Sequence, residues 1–317
     1  VLTLTGKKKG FQTFLNGVGK EHPDEVKVEY SPGKVVFDEK NKTIPVNYTI
    51  RANRDNDYFF AVDANNGRKD LYHVGMKEVK YDHIPFITYF TITEVHNQKL
   101  DLKTYGKKIG YITGAGDKVP EALEQMGFEV VLLGNKELSK NNLNQFDAII
   151  TGVRAYNTHS WMNNHYDKLM KYVHEGGNLI VQYNTSSNLG PVRAKIGPYP
   201  FTITRTRVTD ENAAVTFLKP EHQVFNFPNT ITGDDFKGWI QERSIYQGSD
   251  TTGKMEKLIS MADPGEKADD GSLMVARHGK GWFTYTGLVF FRELPAGVPG
   301  AFRLLANIIA LNQRKSF

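Results

Sequence analysis

Two rhythms of apolar residues divide this chain. From Glu25 to about residue 95 apolar and polar positions alternate. Val26, Val28 and Tyr30 alternate with Lys27 and Glu29, and Ile44, Val46, Tyr48 and Ile50 alternate with Pro45, Asn47 and Thr49. Residues 58–62 and 84–95 are further β-rich runs. Turn clusters at Ser31-Pro32-Gly33, residues 53–57 and Asn65-Asn66-Gly67 separate them. A period of two gives each strand one buried and one wet face, so the pattern predicts a small antiparallel β-sandwich. Residues 1–24 are less patterned, and Phe11, Phe14 and Leu15 suit one helical turn.

Around Tyr105-Gly106 the rhythm changes. Ile109, Tyr111 and Ile112 form a short apolar run that ends at Gly114 and Gly116. Pro120 stands where a first helical turn begins, Leu123 and Met126 share a helical face, Gly127 stops the helix, and residues 130–133 are apolar again. Strand, turn, helix, strand is a βαβ unit, which implies a parallel sheet with its loops at the carboxyl edge. Residues 148–150 and 179–181 continue the series as buried strands. Between them, residues 161–173 read as an amphipathic helix with Met162, Tyr166, Leu169 and Tyr172 on one face. Residues 185–255 break the rhythm and read as an insertion. Strands at 258–261, 273–276 and 282–290 follow, with a hairpin turn at His278-Gly279-Lys280-Gly281. A closing helix over 301–311 turns Leu304, Leu305, Ile308 and Leu311 toward the sheet. The expected architecture is a β-rich domain over 1–104, then a three-layer, flavodoxin-like α/β domain over 105–317.

Composition narrows the chemistry. The 317 residues carry 40 basic and 35 acidic side chains, a net charge of +5, and no concentrated basic run beyond Lys7, Lys8 and Lys9. No nucleic-acid partner is expected from so weak a footprint. No apolar run approaches the roughly 18–20 residues that span a bilayer. The chain has no cysteine, so disulfides, thiolate metal sites and thiol nucleophiles are excluded together, while the compartment stays open. It opens at Val1 without methionine and reads as a processed or excised piece of something longer.

Several constellations fall short of a motif. His22-Pro23-Asp24-Glu25 has the composition of a zinc-binding turn, but polar residues 17–21 precede it where a buried strand would be needed. Gly114-Ala115-Gly116 follows a strand, yet Val119 takes the third glycine position of G-x-G-x-x-G and no acidic residue ends the second strand. Ser186 lies where a strand could turn sharply into a helix, but it lacks flanking glycines. His159 and His165 cannot share a helical face. No metal or cofactor is expected. What converges is a polar set after successive strands: Arg154, Tyr156 and Asn157, then Gln182 and Asn184, with Trp239 and Glu242 from the insertion. Parallel strands open their loops on one edge, so these seven are expected to line one cleft, with Trp239 stacking on a sugar face. The alternative is that they cap loops and satisfy backbone groups.

The order of elements, with Lys107-Lys108-Ile109-Gly110-Tyr111-Ile112, Phe146–Gly152 and Gly176–Val181, resembles the class I glutamine amidotransferase-like fold in its ThuA-like branch. Three stretches, GAGDKVPEALEQMGFEV from Gly114, TGVRAYNTH from Thr151 and GLVFFRELPAGVPGAFRLLAN from Gly287, resemble the C-terminal region of large bacterial PIG-L/LmbE-type deacetylases. That resemblance implies an upstream zinc domain that deacetylates an N-acetylated sugar, and a periplasmic or secreted setting. The amidotransferase cysteine would fall near Tyr183 or Asn184, neither of which is a thiol. Of the family's His-x-Glu pair, Phe291-Arg292-Glu293 keeps only the glutamate. Glutaminase activity is therefore not expected. The expected function is a non-catalytic accessory region that binds or orients a glycan or other polar small molecule. The alternatives are an autonomous enzyme acting on a sugar-like substrate and a structural or oligomerising module.

Overall fold

A computed structural model describes residues 2–5, 9, 12–19, 26–52, 58–65, 71–72, 74–92, 94–97, 100–186, 192 and 194–313. The chain divides into two compact units, Val1–Leu100 and Asp101–Phe317. The His22-Pro23-Asp24-Glu25 turn lies outside the described residues.

The first unit is antiparallel, as its alternation predicts. Its main sheet has the spatial order Leu2–Thr5, Thr43–Ala52, Val26–Ser31, Gln12–Gly19, Tyr58–Asn65, Glu94–Asn97. Two short strands, Lys34–Val36 and Leu71–Tyr72, pair onto it. Leu15, Val35, Phe37 and Val46 form its core, with Val28, Tyr30, Ile44, Tyr48 and Ile50 packed around them. Gln12–Gly19 is a strand and not the helical turn that Phe14 and Leu15 suggest. It pairs residue by residue with Tyr58–Asn65, and that cross-strand ladder outweighs a weak local helical spacing. Val74–Val79 and Ile87–Ile92 form a separate hairpin.

The second unit is built on seven strands: β1 (Lys108–Ile112), β2 (Glu129–Leu132), β3 (Ala148–Thr151), β4 (Asn178–Gln182), β5 (Glu256–Lys257), β6 (Leu273–His278) and β7 (Gly281–Thr286). Their spatial order is β2-β1-β3-β4-β7-β6-β5. The first five in that order are mutually parallel, and β6 and β5 add an antiparallel margin. An order of 2-1-3-4 followed by a fifth parallel strand is the flavodoxin-like winding. The helices are α1 (Val119–Gln125), α2 (Asn135–Lys140), α3 (Ala155–Thr158), α4 (Tyr166–Glu175), α5 (Gln223–Asn226), α6 (Phe290–Glu293) and α7 (Pro299–Ile309).

Alternation along the strands assigns the layers. Ile149, Leu179, Val181, Phe283 and Tyr285 share one core with Leu138 of α2 and with Leu169, Met170 and Val173 of α4. Asn178 points to the opposite face, where its amide donates to the carbonyls of Ile308 (2.8 Å) and Ile309 (3.0 Å) at the end of α7. The helix expected over 161–173 is divided. A 3-10 turn, Ser160–His165, leads into α4. The strand expected over 282–290 ends at Thr286, and the chain enters α6 at Phe290. Helix α2 was not anticipated. Its start is marked by Glu137, whose carboxylate accepts from the backbone N–H of Gly134 at 3.1 Å.

Helix α7 is buried on nearly all sides, because residues of the insertion lie across the side that turns away from the sheet. The side-chain amide of Asn307 donates to the carbonyls of Val224 (2.8 Å) and Asn229 (2.7 Å), and its oxygen accepts from the Asn229 backbone at 2.9 Å. Asn229 in turn exchanges two bonds with the backbone of Lys103 at 2.9 and 2.8 Å. A Cβ on Gly300 would sit 1.7 Å from the Asp235 carbonyl oxygen, so only glycine admits this approach. Each buried group orphaned by a truncation costs about 1–3 kcal/mol. Asn307→Ala is therefore expected to lower stability by about 2–4 kcal/mol in urea denaturation. A change within experimental error would show that the insertion is not fastened through this residue.

Candidate functional site

The carboxyl edge of β3 and β4 carries the polar set that the sequence singles out. Immediately after β3, Arg154 adopts a left-handed backbone, φ 61° and ψ 21°, and α3 begins at the next residue. Strand, left-handed apex and helix make the turn that presents a nucleophile in α/β hydrolases. The sequence places such a turn after β4, near Ser186; the structure places it after β3, and the side chain presented is arginine. A guanidinium stays protonated and is no nucleophile.

The edge is knitted by bonds that continue the parallel ladder beyond its strands. Arg154 donates its backbone N–H to the Tyr183 carbonyl at 2.9 Å. Tyr156 donates its N–H to Asn184 Oδ1 at 2.9 Å. Asn157 donates to the Thr185 carbonyl at 3.0 Å and accepts from the Thr185 N–H at 2.9 Å. Asn157 and Asn184 therefore stand in for backbone and are buried. Gln182 is buried as well; its amide donates to the Tyr111 hydroxyl (3.2 Å) and the Thr151 carbonyl (3.3 Å). Tyr156 packs into the core beside α4, and burial holds its phenol above the ordinary value. Trp239, expected to stack on a ligand, is 3% exposed. Its indole donates to the Asp235 carbonyl, and its ring lies against Phe236 and under the Arg243 guanidinium. These five residues are buried. Arg154, exposed, and Glu242, half-buried, remain at the surface of the edge.

The glycine turn after β1 is sealed. Ala115 donates its N–H to the Val153 carbonyl at 2.8 Å, and a Cβ on Gly114 would meet that oxygen at 2.1 Å. The Asp117 carboxylate accepts from the Tyr111 hydroxyl (2.6 Å) and the Val153 N–H (3.2 Å). The crevice between β1 and β3, where doubly wound sheets hold nucleotides, is thus filled by the protein's own groups.

Aromatic side chains and a second arginine complete the edge. Tyr183 stacks on Tyr246 with ring centroids 5.8 Å apart and planes 9° from parallel, and Phe291 lies 5.4 Å from Tyr183. Burial pushes the Tyr183 phenol up, while the positive charges of Arg154 and Arg292 pull it down. Arg292 pairs with Glu242 at 3.0 Å and donates to the Gln241 side chain. Burial raises the Glu242 carboxyl, and Arg292 opposes that rise. Among the described residues four non-glycines have positive φ: Asn41 in the first unit, and Arg154, Gln241 (66°) and Tyr246 (49°), all at this edge. Such conformations cost about 1–3 kcal/mol each and concentrate where binding or catalysis needs a fixed presentation.

Beneath the edge, the buried Glu293 carboxylate accepts from the Ile240 N–H at 3.0 and 3.3 Å, holding the loop that carries Gln241 and Glu242 against α6. Burial pushes the Glu293 carboxyl up to about 7, against the pull of the Ile240 N–H and of Arg243 and Arg292. A separate cleft of about 490 Å³ lies between Tyr166 and the segment 192–203, lined chiefly by Lys195, Tyr199, Phe201 and prolines. It has aromatic walls and one cation, whereas the strand edge gathers two arginines, a carboxylate and three rings. Among the described residues no group of three metal-ligating side chains occurs, and no helix is long and apolar enough to cross a membrane.

No family model and no curated protein matches the chain. Similar solved structures include a cytoplasmic protein from Salmonella typhimurium LT2, at 13% identity and TM-score 0.44, covering 65% of this chain and 100% of that one. A glutamine amidotransferase from Thermotoga maritima matches at 7% identity and TM-score 0.40, covering 66% of this chain and 100% of that one. A β-galactosidase from Rahnella sp. R3 matches at 15% identity and TM-score 0.39, over 63% of this chain; the chain spans 30% of that protein's length. TM-scores below 0.5 make these distant likenesses that say nothing of what this chain does.

Two outcomes follow from the geometry. Arg154→Gly removes the left-handed penalty and is expected to raise stability by about 0.5–1 kcal/mol, read from the denaturant midpoint. A loss of stability there would mean that the apex is not strained. Folded Glu293 keeps its proton up to about pH 7, while the unfolded carboxyl releases it near the ordinary 4.5. Its contribution is therefore present below pH 4.5 and lost as pH rises through 7. Glu293→Gln is expected to flatten the dependence of Tm on pH across that window, and an unaltered slope in the variant would remove Glu293 as its source.

Proposed function

We propose that the α/β unit is a non-catalytic binding module for a glycan, working at the carboxyl edge of β3 and β4. The supporting observation is the gathering of Arg154, Gln241 and Tyr246 there, three left-handed non-glycine residues from separate loops, around a stacked aromatic pair. Flat rings suit the apolar face of a sugar, and the fork of Arg154 with the Arg292–Glu242 pair suits its hydroxyls. The residue at the strand-to-helix apex is an arginine, and the neighbouring Tyr183 phenol is held above its ordinary value, so neither favours a covalent mechanism. The stretches from Gly114, Thr151 and Gly287 support a finer reading. On that reading the chain is the accessory region of a PIG-L/LmbE-type carbohydrate de-N-acetylase and orients the glycan for an upstream catalytic domain.

The test is a glycan array probed with the whole chain, followed by titration of the strongest hit. Tyr246→Ala and Phe291→Ala are each expected to weaken binding severalfold to about tenfold, since an aromatic stacking contact is worth on the order of 0.5–1.5 kcal/mol. Binding that survives both changes unaltered would move the site away from this edge.

A further inference from the structure

We infer that the cleft between Tyr166 and the segment ending at Ile203 is a second binding site, and that it takes a flat aromatic molecule bearing one anionic group, such as an aryl carboxylate. It is separate from the strand edge, and its occupancy does not depend on a glycan binding there. The cleft encloses about 490 Å³, within the roughly 300–1,000 Å³ of small-molecule sites. The rings of Tyr166, Tyr199 and Phe201, with Pro198 and Pro200, wall it. Such faces suit a flat apolar body. A sugar would leave its hydroxyls against proline and phenyl groups.

The walls are fixed before any ligand arrives. The Tyr166 hydroxyl donates to the Gly197 carbonyl at 3.2 Å, and the Tyr199 hydroxyl to the Arg277 carbonyl at 2.9 Å. Thr202 and Ile203 pair with Ser249 and Gly248. The Phe201 ring lies 4.9 Å from that of Tyr285, and a Cβ on Gly197 would come within 2.7 Å of the Phe283 ring. The segment is thus fastened to α4, β6 and β7, and a cleft held this way loses little freedom on binding.

Charge selects among flat ligands. Among the described residues that line the cleft, Lys195 carries the one charge, and none is acidic. Its ammonium stands 5.6 Å from the centre of the Tyr166 ring, where cation–π attraction holds it at the wall. Both phenols have given their protons to backbone carbonyls, so the ammonium is the side-chain donor left for an anion. Burial and the neighbouring Asp167 raise the Tyr166 phenol, so that ring stays neutral. One ammonium balances one negative charge.

The experiment titrates the whole chain with 2-naphthoate, neutral 2-naphthamide and the 2-naphthylmethylammonium ion, following the ligand signals by nuclear magnetic resonance. The wild type is expected to bind naphthoate with a Kd on the order of 0.1–1 mM. That is roughly fivefold tighter than the amide, with the ammonium ion weakest. Lys195→Met is expected to remove the preference for the anion, and Lys195→Glu to turn it toward the ammonium ion. Lys237→Met takes an equal charge from beside the turn that packs on α7, and is expected to keep the preference. Ala194→Phe puts a ring into the cleft and is expected to weaken all three ligands together. Lys195 is exposed, so its variants keep the test open should Ala194→Phe fail to fold; circular dichroism checks each. Equal binding of the three ligands by the wild type would overturn the anionic group. A preference for naphthoate that persists in Lys195→Glu would overturn the role of Lys195. Binding untouched in a folded Ala194→Phe, or no binding of any of the three, would overturn the site itself.

Discussion

The second unit depends on a parallel ladder that does not stop where its strands stop. Past Thr151 and Val181 the strand pairing of β3 and β4 ends, and the polar groups beyond it need other partners. Arg154 N–H to the Tyr183 carbonyl, Asn184 to the Tyr156 N–H, and the two-way exchange between Asn157 and Thr185 carry the pairing onward. Asparagine suits this work because its amide offers the donor and acceptor of a peptide group without its chain direction. The apex at Arg154 exists because this extension holds it. An isolated non-glycine residue would relax out of the left-handed region.

How much of this was legible in the sequence differs from element to element. The βαβ rhythm of residues 107–133 and the buried runs at 148–150 and 179–181 gave the parallel sheet and the edge at which loops gather. Burial on both faces leaves an unmistakable apolar run, so such strands are hard to misplace. The candidate site was harder. Asn157, Gln182 and Asn184 stand at strand ends, and side-chain identity there does not say whether an amide turns to solvent or to its neighbour's backbone. Trp239 was misplaced for a related reason: Phe236, Phe290 and Arg243, which bury it, lie three, fifty-one and four positions away. In the sequence Tyr183 and Phe291 mark only where a family cysteine and histidine are missing, and Tyr246 marks nothing, because aromatic residues in a loop read as core. Their signal was adjacency to charge, with Phe291 beside Arg292 and Tyr246 four residues after Glu242.

The edge is stiffened from below as well as along its length. Glu293 ties down Ile240, and Arg292 grips Gln241 and Glu242, so α6 and the insertion's loop form one braced piece. The bracing comes from a buried carboxyl and a half-buried ion pair, groups that are costly to desolvate. Side chains fixed this way lose little freedom on binding, and that conserves affinity that a mobile loop would forfeit.

The segment that interrupts the α/β pattern is not an ornament on a finished domain. Helix α7 has no free side: Asn178 meets it from the sheet, while Asn229, Val224 and Asp235 meet it from the interrupting segment. Gly300, Arg303 and Asn307 are shaped to that second contact. A shortened chain that spliced residue 184 to residue 256 would thus strip a polar helix face bare, and the remaining sheet would have no better claim to fold than a bundle missing a helix. In engineering terms the smallest transplantable form of this module is the whole of it.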